Sequence, residues 1–123
     1  MTTDLHIGVI AERRYLAQAQ PRGLLSALEG RGARVTHFDP DDSARTMGDA
    51  SWLGGVDLLV GRGRSWSLLT LLAWAEAAGV PTINRKSAIA AVHNKAEMSA
   101  RLATAGIPMP ETRFGPIAAL RES

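Results

Sequence analysis

The 123 residues contain no cysteine. Neither a disulfide framework nor a thiolate metal centre can be built from such a chain. Aromatic residues are scarce, at 5%, so a core must be packed chiefly with aliphatic side chains. There is no run of about 20 apolar residues, the length a membrane-spanning helix needs. The longest apolar stretch, Leu68 to Val80, is interrupted by Thr70 and Glu76. The opening MTTDLHIGVIAERR puts acid before a short apolar run and base after it, the reverse of a secretory leader. The expectation is a soluble, cytoplasmic protein without a membrane partner.

What is present fits one globular domain. Apolar residues make up 46% of the chain and charged residues 21%, enough for a core and too little charge for disorder. Net charge is only +2, although the pI is about 9.7. All basic residues except Lys86 and Lys95 are arginine. A balance this weak does not indicate nucleic acid as a partner.

Apolar runs alternate with helical periodicities. Leu5–Ala11 (LHIGVIA) reads as a buried strand. Pro21–Gly32 reads as a helix, with proline in its first turn and glycines at its end. Arg34–Phe38 alternates as a strand does and ends at Asp39-Pro40-Asp41-Asp42, a turn signal. Val56–Val60 is a third strand, and Ser65–Ala78 a helix capped by Ser65 and stopped by Gly79. Val80–Asn84 is a short fourth strand. Helices are expected over Lys86–Val92 and over Asn94–Ala105, the latter capped by Asn94 and ended by Gly106. Pro108 and Pro110 keep Ile107–Phe114 extended. The fold class is therefore α/β: an open, parallel, four-stranded, Rossmann-like sheet flanked by helices, with an extended C-terminal exit segment. The expected units are 1–106 and 107–123.

Ligands of open parallel sheets bind beyond the carboxyl ends of the strands. Glu12, Arg13 and Arg14 follow the first strand here, Asp39, Asp41 and Asp42 the second, Gly61-Arg62-Gly63-Arg64-Ser65 the third, and Arg85 and Lys86 the fourth, which closes in Asn84. The guanidinium fork matches carboxylate and phosphate, and Gly61 and Gly63 permit close backbone approach. A helix starting near Ser65 adds N–H groups that favour an anion. Arg13, Arg14, Arg62, Arg64, Ser65, Asn84 and Arg85 are thus the candidate binding residues for a carboxylate-bearing substrate.

Other chemistries are poorly supported. No G-x-G-x-x-G follows the first strand, so a dinucleotide site is not indicated, and Gly61–Ser65 lacks the G-K-[ST] ending of a P-loop. Ser65 is not in a nucleophile elbow. His6, His37 and His93 lack metal-ligand spacing. A phospho-receiver domain would place acids where Arg13, Arg14 and Arg62 stand.

The order of elements over LLVGRGRSWSLLTLLAWAEAAGVPTINRKSAIAAVHNKAEMSARLATAGIPMPET, Leu59–Thr112, resembles RimK-like ATP-grasp ligases. The elements that carry it are Arg62, Gly79, Asn84, Ser87, Asn94-Lys95 and the Gly-Ile-Pro-x-Pro-x-Thr exit of Gly106–Thr112. The N-terminal half resembles that family's opening βαβ unit. The resemblance implies a pre-ATP-grasp domain from an enzyme joining a carboxylate to an amine through an acyl-phosphate. It implies ATP and Mg²⁺ as cofactors of the whole enzyme and Lys95 as a nucleotide-binding residue. Asn94 stands where the family pattern usually has aspartate. Magnesium-binding carboxylates and the ATP-grasp fold proper would belong to a missing partner domain, so this chain alone is expected to be inactive. The substrate would be a small carboxylate, amino acid or peptide.

The alternative is a stand-alone binding or dimerisation module. The segment Trp66–Trp74 is apolar nearly all round, which suits a helix buried on more than one side, and the expectation is contact there with a second subunit, as in a homodimer, or with the missing domain.

Overall fold

The computed structural model describes residues 4–122. Residues 1–3 and 123, and with them the outer ends of the expected 1–106 and 107–123 units, lie outside that range. Four strands, β1 (His6–Ile10), β2 (Arg34–Phe38), β3 (Leu58–Gly61) and β4 (Thr82–Ile83), form one sheet in the order β2-β1-β3-β4. Every pairing is parallel, with Ile10 opposite both Phe38 and Gly61, and Val60 opposite Ile83. Helices α1 (Ala19–Gly30) and α2 (Trp66–Ala77) make the β1–β2 and β3–β4 crossovers. Then come α3 (Lys86–His93), α4 (Lys95–Thr104) and α5 (Ile117–Arg121). The α/β class and the open parallel sheet stand as the alternation of strand and helix patterns implied.

Internal contacts divide the chain into residues 1–89 and 90–123. The division falls inside α3, because packing separates the sheet-bearing unit from a small helical one. The boundary after Gly106 expected from sequence concerned a further domain, which is a different division.

In the first unit, β1 is central and buried at all five positions. Side chains alternate between faces along each strand. One face, with Ile10 and Leu59, closes against Leu68, Leu71, Leu72 and Ala75 of α2 and against Leu53 and Val56 from the β2–β3 connection. Phe38, Trp52 and Trp74 border this core in a chain of edge-to-face contacts, with centroids 5.4 and 5.7 Å apart. Gly8 occupies the one place on β1 where a side chain does not fit. A β-carbon there would lie 2.7 Å from both Leu59 Cδ1 and Phe38 Cε2.

The pattern reading located every regular element except α5 and two short 3₁₀ turns, Arg13–Tyr15 and Ala50–Leu53. β4 is only Thr82–Ile83, shorter than Val80–Asn84. It is an edge strand, and its first expected residue, Val80, turns instead to bond Ala75 O after the Gly79 stop. The α1 helix starts two residues before Pro21, which keeps the proline within the first turn. Residues 107–114 carry no helix or strand, as Pro108 and Pro110 require.

Candidate functional site

In a parallel sheet all carboxyl ends lie on one edge, so the topology gathers the segments after β1, β2, β3 and β4 there. The strand order reverses between β1 and β3: one connection leads outward to β2, the other outward to β4. The crevice between such strands is where open α/β sheets bind ligands. Glu12 to Arg14 flank it on one side and Arg62 to Ser65 on the other. Of the residues singled out in the sequence, Arg13, Arg14, Arg62, Arg64, Ser65, Asn84 and Arg85 all belong to this edge. Lys95 belongs to the second unit.

The arginines are not equivalent. Arg13 Nε lies 3.7 Å from Asp39 Oδ2, and its backbone N–H donates to the same oxygen at 3.2 Å. Arg14 Nη2 lies 3.4 Å from Glu12 Oε2 and its guanidinium covers the Tyr15 ring. Arg85 Nε is 3.7 Å from Glu76 Oε1, whose other oxygen accepts the Lys86 N–H at 3.0 Å and so begins α3. These three cations face anions. Arg62 instead donates to the neutral Oε1 of Gln20 at 2.9 Å and has no ion pair among the described residues. Arg64 is exposed and has no ion pair or hydrogen bond among the described residues.

The positive edge expected from sequence is therefore narrower than a count of bases suggests. Gln20 and Glu76 are the residues that sequence reasoning missed, whereas Glu12 was placed on this edge but not as the partner of Arg14. Glu12 lies two residues past β1, and Glu76 is the penultimate residue of α2; the fold turns Arg14 back onto the first and brings Arg85 to the second. On this edge, the pair without a counter-charge among the described residues is Arg62 and Arg64, on either side of Gly63.

The backbone around them is fixed. Ser65 Oγ accepts the Leu68 N–H at 3.2 Å, capping α2 and leaving the hydroxyl proton able to donate outward. Arg62 N donates to Ile10 O at 2.8 Å, which prolongs the β1–β3 ladder past the strand end. Asn84 follows a cis peptide bond and is exposed on the same edge.

Beyond β2, Asp39 is buried, at 7% exposure. It accepts the N–H groups of Asp41 (3.0 Å) and Arg13. The Asp41 hydrogen bond, aided by that of Arg13 and by the charges of Arg13 and His37, holds its carboxyl below the ordinary 3.8 against the opposing effect of burial. Arg45 ties down the following loop, reaching Asp42 at 3.7 Å and covering the Trp52 ring at 5.3 Å.

The histidines serve the sheet. Arg34 Nη2 lies 2.9 Å from His6 Nδ1, and His6 Nε2 lies 2.7 Å from Thr36 Oγ1. Because arginine can only donate, Nδ1 is the acceptor and Nε2 carries the proton. His37 Nε2 donates to Ala11 O at 2.6 Å. Among the described residues no three His, Asp or Glu side chains are grouped as a metal ion requires.

In the second unit, Asn94 Oδ1 accepts from Ala96 N (3.1 Å) and Glu97 N (3.2 Å), the capping task an aspartate would perform. Lys95 is thereby the first residue of α4. It lines an open cavity of about 570 Å³ between α4 and the exit segment, with Ala100, Met109, Arg113 and Phe114 among the other walls.

A search of solved structures finds the crystal structure of a RimK domain ATP-grasp protein from Sphaerobacter thermophilus, at 25% identity and a TM-score of 0.69 over 88% of the present chain. The chain shares the fold of a RimK-type ATP-grasp protein. It spans 40% of that protein's length and so matches a part of it. No family model matches the sequence, and no curated protein does. No helix among its described residues is long and apolar enough to cross a membrane.

Proposed function

We propose that the chain is the N-terminal, substrate-side domain of an ATP-dependent carboxylate–amine ligase of the ATP-grasp type, inactive in ligation by itself. The observation that carries this reading is the Arg62–Gly63–Arg64 loop at the β1/β3 crevice, without a counter-charge among the described residues, in a fold shared with a RimK domain ATP-grasp protein. Two guanidinium groups at the start of α2 suit a carboxylate, and Ser65 and Asn84 add neutral donors around it. The substrate is a small carboxylate, an amino acid or a peptide end.

In the whole enzyme, ATP would phosphorylate the carboxylate and an amine would displace the phosphate. ATP and Mg²⁺ would be held mainly by a further domain. Lys95, whose charge faces an open cavity at the start of a helix, suits a phosphate there, since an anion relieves the unfavourable placing of a cation at a helix N-terminus. The setting would be cytoplasmic.

The test has two parts. Titration of the 123-residue chain with small carboxylates should give binding that Arg64→Ala weakens about tenfold or more, the loss expected for one charge-assisted contact. The same chain should hydrolyse no ATP, whereas a polypeptide joining it to an ATP-grasp domain should ligate, and Lys95→Ala should reduce that activity severely. Binding unchanged by Arg64→Ala removes the crevice, and ligation unchanged by Lys95→Ala removes that residue.

A second reading is a stand-alone module that dimerises through α2. The observation in its favour is Trp66, 80% exposed at the head of a helix whose outward positions Thr70, Ala73 and Ala77 carry no charge. Dimerisation through α2 is compatible with the first reading, whereas a stand-alone module excludes it.

A further inference from the structure

Residues 90–123 form a unit of their own, and among its described residues none is buried. Its large apolar side chains stand in the open: Val92 and Ile107 are exposed, Phe114 is 89% exposed and Ile117 70%. Between α4 and the exit segment there is an open cavity, with Met109 and Phe114 among its walls, and no core. Helices of ten and five residues, as α4 and α5 are, are marginal in water and hold chiefly by burying an apolar face. A unit of fewer than about 40 residues usually needs a disulfide, a metal or association to be stable. The chain has no cysteine, and no group of side chains among the described residues could hold a metal ion. Association remains. The RimK domain ATP-grasp protein indicates with what. The part of the present chain left unmatched is shorter than half of this unit, so most of residues 90–123 belongs to the shared fold, and more than half of that protein lies outside the match. The shared fold thus combines a unit without a core with a larger body able to cover it.

Resting on the reading of the chain as one domain of an ATP-grasp ligase, we propose that the apolar surface of residues 90–123 is the docking surface for the ATP-grasp domain, and that α4 is stable only when docked. Phe114 and Ile117 are the side chains that the partner covers. Their burial supplies the apolar contact that α4 and α5 lack by themselves. Lys95 is the first residue of α4, so the docked domain also fixes the lysine. Separating the domains then removes the phosphate site of this chain together with whatever residues the partner contributes.

Amide hydrogen exchange tests this in the 123-residue chain and in a polypeptide joining it to an ATP-grasp domain. In the 123-residue chain the α4 amides should be protected about a hundredfold less, or lower still, than those of β1 and α2. In the joined polypeptide their protection should rise about a hundredfold or more, with β1 little changed. Phe114→Asp and Ile117→Asp should each reverse most of that gain. Both side chains are exposed in the 123-residue chain, so β1 should stay protected in either variant. An α4 as protected as β1 in the 123-residue chain, no gain on joining, or a gain that survives both substitutions overturns the docking surface. So does protection in the 123-residue chain that rises with concentration and is abolished by Phe114→Asp, because a second copy is then the occupant. Ligation by the joined polypeptide with α4 unprotected overturns the docking surface and keeps the ligase reading. An α4 that gains protection in a joined polypeptide without ligation keeps the docking surface and overturns the ligase reading.

Discussion

Single residues set the tolerances of this fold. Gly8 sits opposite Leu59 on β3, and the Phe38 ring closes over it. Gly8→Ala places a methyl 2.7 Å from both the Phe38 ring and Leu59 Cδ1, so both must shift, and overpacking of this kind costs about 1–3 kcal/mol. Urea denaturation should show a lowered midpoint with an unchanged m-value. Asp39 sets a pH dependence. Its carboxyl is held below 3.8 in the fold, chiefly by the Asp41 N–H, so the unfolded chain takes up the proton first as pH drops. Its stabilising contribution is complete above 3.8 and is lost as pH falls through the lower folded value. Thermal midpoints followed from neutral pH down past 3.8 should fall less steeply for Asp39→Asn than for the unaltered chain. These two residues were differently legible. The Asp-Pro-Asp-Asp turn marked position 39 in the sequence, whereas Gly8 read as one more residue of an apolar run.

At the scale of the element, α2 joins a sequence rule to a packing fact. Its composition is apolar nearly all round, yet Leu68, Leu69, Leu71, Leu72 and Ala75 are the buried positions while Trp66 is 80% exposed. The hydropathy pattern could not tell the two faces apart, because nothing on the outward face is charged. The sheet decided which stripe is covered. Leu72, fully buried against Gly61 and the core, should lose about 2–5 kcal/mol as Leu72→Ala, read from chemical denaturation. The cap was legible: Ser65 accepts the Leu68 N–H, and Ser65→Ala should cost about 1 kcal/mol in the same assay. Asn94 does the same for α4 and should lose a similar amount as Asn94→Ala. The two 3₁₀ turns and α5 escaped the reading because three to five residues do not display a period.

For the whole molecule, the uncharged stripe of Trp66, Thr70, Ala73 and Ala77 bears on self-association. If it is covered by a second copy, sedimentation velocity should show a concentration-dependent dimer that Trp66→Asp converts to monomer. Trp66→Asp should leave the denaturation midpoint nearly unchanged, because an 80%-exposed side chain contributes little to the core. A monomer at every concentration removes the dimer reading and leaves the crevice untouched.

The sequence by itself determined the order of strand and helix, the parallel sheet that this order requires, and the helix caps at Ser65 and Asn94. It also placed arginines after β1, β3 and β4. Those features depend on neighbours a few residues apart, so they are written locally. Tertiary structure alone decided which arginines keep their charge. Asp39, Gln20 and Glu76 meet their partners through contacts of 26, 42 and about ten residues' separation, and no local pattern encodes them. Charge neutralisation acts through space at a few ångströms, and the fold, not the order of residues, sets those distances.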